Sequence, residues 1–124
     1  MNTLLWVIQG ALTALFLLAG SLKLVRSREE LLKQQPWVED FSQRTVKLIG
    51  TAEVLGALGL ILPAALGILA WLTPTAAAAL ATVMLLAMLT HLRRKDSRSS
   101  IAGTIVLFVF AAFVAVERFG PHSL

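Results

Sequence analysis

Four long apolar runs, at residues 3–22, 46–62, 66–92 and 101–116, constrain this chain more than any other feature. A membrane-crossing helix needs about 20 mainly apolar residues, with about 17 to 25 as the working range. The first and third runs meet that requirement, and the third is long enough to tilt. The second and fourth are shorter, so their helices are expected to draw in Arg44, Thr45 and Glu117 to Phe119. The expected helices cover residues 3–25, 45–62, 66–92 and 101–119. A soluble four-helix bundle would need a polar stripe on every helix. LLAMLTHL and IVLFVFAAFVAV have none. With 57% hydrophobic and 15% charged residues, the chain reads as all-α: a polytopic membrane four-helix bundle, up-down and antiparallel, in one domain over 1–124. The first run could be read as a secretory signal, but positive charges follow it rather than precede it. It is kept as a span.

The strong basic excess encodes topology. Ten of the eleven Lys and Arg fall between Lys23 and Lys47 or between Arg93 and Arg98. The turn LPAALG has none, and the carboxyl end has Arg118. Alternation of basic and uncharged connections follows the positive-inside rule, which places both basic connections in the cytoplasm and both termini outside. The expected partner of this charge is the lipid bilayer, including its anionic headgroups, and not nucleic acid.

Several chemistries are excluded. There is no cysteine, so thiol nucleophiles, redox CxxC pairs and thiolate metal sites are ruled out. The two histidines, His91 and His122, are expected at opposite membrane faces, so no metal site is expected. No nucleophilic triad, phosphate loop or dinucleotide fingerprint is present. No catalytic residue is assigned.

The long first connection, SREELLKQQPWVEDFSQR, sets Leu31, Leu32, Trp37, Val38 and Phe41 among charges. It predicts a short interfacial helix, a break before Pro36, and a second turn anchored by Trp37 at headgroup depth. A tight turn is expected around Pro63, making the second and third helices antiparallel neighbours. Pro74 should sit in the third helix's first turn or kink it. Gly20, Gly50 and Gly56 are expected to let helices approach closely, since association in lipid depends on such packing. Self-association or contact with other membrane proteins would use the same devices.

The residues that could carry chemistry share one predicted level. Gln9, Thr13, Phe16, Gly20 and Lys23 lie on one helical face, which must look into the bundle. Gln9 and Thr13 should hydrogen-bond between helices, while Glu117 and Arg118 are read as interfacial anchors. Glu53 lies six residues past Lys47, roughly 9 Å along a helix axis. His91 comes two residues before the second basic cluster. Lys23, Glu53 and His91 are therefore the candidate polar cluster near the cytoplasmic face. It could hold the polar head of a lipophilic ligand or relay a proton. Alternatively, Lys23 and Glu53 form an ion pair that ties two helices together, with each charge offsetting the other's cost of burial.

At these residues the chain resembles the DoxX-like family of small four-helix membrane proteins. The resemblance is carried by FLLAGSLKL, by IGTAEVLGALGLILP, by LTPTAAAALATVMLLAMLTHLRRKD and by FVFAAFVAVERF. Its most specific parts are Gly20 and Lys23, the Gly50-x-x-Glu53-x-x-Gly56 core, and His91 before Arg93 and Arg94. The family takes its name from subunits of a thiosulfate:quinone oxidoreductase, and other members are linked to redox-stress complexes. Eukaryotic relatives look like assembly factors for membrane proteins. The resemblance therefore implies a bacterial inner-membrane protein, with quinone as the one cofactor suggested. Lacking redox ligands, the chain is expected to be a non-catalytic accessory or assembly subunit, with a lipid or quinone-like molecule in the bundle. The alternative is a membrane subunit of a quinone-linked oxidoreductase complex.

Overall fold

The computed structural model describes residues 2–120. Its elements are α1 (Asn2–Val25), α2 (Arg28–Gln34), a 3-10 turn (Pro36–Asp40), α3 (Gln43–Leu66), α4 (Leu72–Arg94) and α5 (Arg98–Phe119). Helices α1, α3, α4 and α5 are 22 to 24 residues long and apolar enough to cross a membrane. At about 1.5 Å per residue, each exceeds the roughly 30 Å of hydrocarbon to be crossed. The fold is an all-α helical bundle, with no strand among the described residues.

Local chemistry fixes the element boundaries. Ser27 and Glu30 form a reciprocal capping box that starts α2. Ser42 accepts from the Thr45 N–H to start α3, and Ser97 accepts from the Ser100 N–H to start α5. These hydroxyls occupy backbone donors that a helix start leaves unpaired. At the other end of α1, Lys47 Nζ donates to the Leu24 carbonyl at 2.8 Å, tying the start of α3 to the end of α1.

The two expected boundaries that move furthest flank the turn between α3 and α4. Helix α3 runs on through buried Pro63 and ends at Leu66. The turn lies at Gly67, whose φ of +69° closes the helix in the left-handed region, a conformation that costs glycine least. Proline lacks its own N–H and crowds the carbonyl four residues back, and packing against neighbouring helices makes such a position tolerable in a membrane bundle. Helix α4 consequently begins at Leu72, and Pro74 is buried in its first turn, where a missing N–H is harmless. His122 lies outside the described residues.

Helices pack in chain order, α1 on α3, α3 on α4 and α4 on α5, while α1 and α5 meet only lightly. The shared core includes Leu5, Leu12 and Phe16 of α1, Leu60 of α3, Leu80 of α4 and Val114 of α5. Leu18, Leu55, Leu86 and Val109 project outward, as a lipid-facing surface requires. A Cβ on Gly20 would come within 2.7 Å of the Gly50 carbonyl oxygen, and one on Gly50 within 2.9 Å of the Gly20 oxygen. The α1–α3 contact is thus backbone against backbone at these two glycines. Gly56 does not belong to it: there a Cβ would strike Leu80 at 2.7 Å, so Gly56 seats α4.

The connection from α1 to α3 packs as a strap. Leu31, Val38 and Val46 form a small buried core flanked by Leu32, Trp37 and Phe41. Trp37 and Phe41 meet edge to face with centroids 5.6 Å apart.

Candidate functional site

The face of α1 that carries Gln9, Thr13, Phe16, Gly20 and Lys23 is buried throughout. Its last residue brings a cation into the bundle, and α3 answers with an anion. Lys23 Nζ lies 2.7 Å from Glu53 Oε1, with side chains 8% and 3% exposed. The two glycines explain the approach, since Gly20 is one turn from Lys23 and Gly50 one turn from Glu53. A third element closes the arrangement. Trp37, from the strap, places its ring 5.7 Å from the Lys23 ammonium, within reach of a cation–π contact. Its Nε1 donates to Gln35 Oε1 at 3.1 Å, which holds the indole in place.

This pair lines a cavity of about 740 Å³ between the basic-end halves of α1, α3, α4 and α5. That volume falls in the range of small-molecule sites, about 300 to 1,000 Å³. Its walls are mostly apolar, including Leu15, Phe16, Ile49, Met84 and Leu107, and Trp37 and Phe41 of the strap also line it. A second, smaller hollow of about 450 Å³ shares Gln35, Trp37, His91 and Ser100 with the first and adds Pro36, Asp96 and Ser97.

His91 takes a different position from the other two candidates. It lines the same cavity as Lys23 and Glu53, but its Nδ1 is 2.7 Å from Asp96 Oδ2. Lys95 adopts a left-handed φ of 58°, and the Asp96 N–H donates to the His91 carbonyl at 3.0 Å. This closing turn swings Asp96 back onto the histidine. Arg94 Nε also reaches Asp96, at 3.2 Å, while its Nη1 reaches Glu39 of the strap at 2.9 Å. The rim is a charge network joining the strap to α4, and the paired charges lie within. The Asp96 carboxyl is held below its ordinary range, first by the His91 hydrogen bond and then by Arg94.

A second polar cluster occupies the opposite end of the bundle. Gln9 is fully buried; its Nε2 donates to the Leu60 carbonyl at 2.7 Å, and its Oε1 accepts from Arg118 Nε at 2.8 Å. Thr13 adds bonds to the Gln9 carbonyl at 2.7 Å and the Ala57 carbonyl at 3.3 Å. Arg118 also donates to Asn2 Oδ1 at 2.7 Å and lies 5.9 Å from the Trp6 ring. Arg118 is therefore an inward-facing residue, 3% exposed, and the reading of it as an interfacial anchor is corrected. The signal was in the spacing: Ala111, Val114, Ala115 and Arg118 follow one helical face, and that face is buried.

Among the described residues no cluster of three acidic or histidine side chains is placed to hold a metal ion. The cavity instead offers a buried charge pair, hydroxyls and an apolar volume. Fold and site together define a small polytopic helical membrane protein with a polar pair set in an apolar cavity. A family model described as DoxX-like matches residues 7–114. The chain belongs to the DoxX-like family. No curated protein and no solved structure matches it.

Proposed function

We propose that the protein is a non-catalytic accessory or assembly subunit of a bacterial inner membrane that holds a lipid or quinone-like molecule in the cavity beside Lys23, Glu53 and His91. The observation that carries this reading is the buried Lys23–Glu53 pair in the wall of an apolar cavity of about 740 Å³. Intramembrane ionisable residues mark functional sites by default, and the adjoining volume suits an apolar body with a polar head. The alternation of basic connections supports a cytoplasmic orientation for this end of the bundle. Membership of a redox subunit complex is the second reading. It is favoured by a carboxylate and an ammonium in the cavity wall, which could exchange a proton with a quinone oxygen while electrons come from another chain.

Native mass spectrometry from nanodiscs tests the reading. The wild-type chain should carry a lipophile of defined mass. Gly103 lines the cavity, and a Cβ there meets nothing within 4 Å, so Gly103→Leu should fill the space without breaking the fold and lose that adduct. A chain that never carries a lipophile, or an adduct indifferent to Gly103→Leu, would contradict ligand holding. Recovery only as a partner-free monomer, with unchanged membrane complexes on deletion, would contradict the accessory role. Bound quinone whose reduction in a complex depends on Glu53 would favour the redox alternative.

A further inference from the structure

Accepting that the cavity holds a lipophile, its charge balance specifies what kind. Lys23 and Glu53 carry no net charge as a unit, on whichever partner the shared proton resides. An anionic head drawn to Lys23 would lie against the Glu53 carboxylate and leave the site with an unbalanced negative charge. A cationic head drawn to Glu53 would crowd the ammonium and leave an unbalanced positive charge. Either excess is costly in a buried site. An uncharged oxygen escapes both penalties: an ammonium has three donors and a carboxylate about four acceptor positions, so the pair can take an extra hydrogen bond and stay intact. The other charged wall residues, His91 and Arg93, follow Thr90 at the end of α4 and stand at the rim, where His91 is engaged by Asp96.

The route in is also indicated. Helices α1 and α5 touch only lightly and are tied at the far end through Gln9 and Arg118. At the basic end, Leu15 and Ala19 of α1 and Gly103 and Leu107 of α5 line the cavity. Leu15 and Gly103 are exposed as well as cavity-lining, as are Leu86 and Leu89 of α4, so the cavity reaches the bilayer-facing surface, and the lightly packed α1–α5 seam is its weakest boundary.

We infer that the cavity selects a lipophile with an uncharged, oxygen-bearing head, a hydroxyl or a carbonyl, and takes it from the bilayer through the α1–α5 seam. Amphiphiles with sulfate or phosphate heads are rejected. The head lies at the Lys23–Glu53 pair beneath Trp37, and the apolar body runs past Phe16, Met84 and Leu107.

The test is competition for the full chain in phosphatidylcholine nanodiscs, read by native mass spectrometry. The probes are oleyl alcohol, oleyl sulfate with the same chain and a permanent negative charge, and a short-chain alkyl benzoquinone. At least one neutral probe should outcompete oleyl sulfate by about tenfold or more, about 1.4 kcal/mol, a fraction of what an unbalanced buried charge costs. The alcohol and quinone arms distinguish a hydroxyl-headed lipid from a quinone. Gly103→Leu should abolish neutral binding. Glu53→Gln leaves the Lys23 charge unmatched and should reverse the order in favour of the sulfate, while the double variant Lys23→Met/Glu53→Gln should restore the neutral preference even if the single variant folds poorly. Oleyl sulfate binding as well as the neutral probes, or the same order in folded Glu53→Gln, would overturn the inference and leave ligand holding standing. Failure of all three probes to bind would overturn both.

Discussion

Among the described residues, two buried cations are accommodated in different ways. Lys23 is matched by a carboxylate at 2.7 Å, whereas Arg118 is met by the amide oxygens of Gln9 and Asn2 and the ring of Trp6. Both stand in the last turn of their helix, where the cost is below the roughly 2.5 to 3.5 kcal/mol that insertion scales give an ion at the helix centre, but a buried charge there still needs a partner. Outside the spans the same logic acts more weakly. Asp96 accepts a hydrogen bond from His91 and another from Arg94, which lowers its native pKa. The unfolded chain therefore binds that proton first as pH falls. The contribution of Asp96 is present in full above its unfolded pKa of about 3.9, and it is lost as pH drops through the lowered native value. Asp96→Asn should therefore melt below wild type in detergent at neutral pH, with the difference closing on acidification past that native value. A difference that stays constant into strong acid would show that the carboxylate is not its source.

Helix α1 binds α3 through close backbone approach, and this makes its glycines unequal. Gly20→Ala would force a Cβ to within 2.7 Å of the Gly50 oxygen and 2.8 Å of Val54 Cγ2. Backbone cannot yield there as a flexible side chain could, so the variant should lose about 1 to 3 kcal/mol, the usual range for overpacking. Gly10→Ala, on the same helix with nothing within 4 Å of its Cβ, should be neutral or slightly stabilising. Thermal melts of the two variants in the same detergent decide it, and equal losses would disprove the backbone contact. Close approach at Gly20 was legible in the sequence because that glycine shares the polar face of α1. Its partner was harder to assign. Gly50 and Gly56 both flank Glu53, and they are not a whole number of turns apart, so one meets α1 while the other seats Leu80 of α4. Proline misled at the same scale. Pro63 marks a turn in water, but in this helix it loses one N–H and the helix continues to Gly67.

At the scale of the molecule, hydropathy and charge alternation carried the fold, because few structures satisfy every backbone group in lipid. They also carried the Lys23–Glu53 contact, since an ion with no route to water needs a partner. What stayed hidden depends on where empty space falls. Neither the packing of the strap, nor the cavity beneath Trp37, nor the turn that gives His91 to Asp96 follows from periodicity. Arg118 stayed hidden because its position beside the helix end suggested water, although its face did not. The pair staples α1 to α3 and forms one wall of the cavity, and both roles require that these two charges depend on each other. The direct measurement is a double-mutant cycle on thermal stability in detergent with Lys23→Met, Glu53→Gln and the combined variant. Each single change should cost about 3 to 5 kcal/mol by leaving a buried charge alone, and the combined variant should recover a substantial part of the summed loss. Strictly additive losses would contradict it.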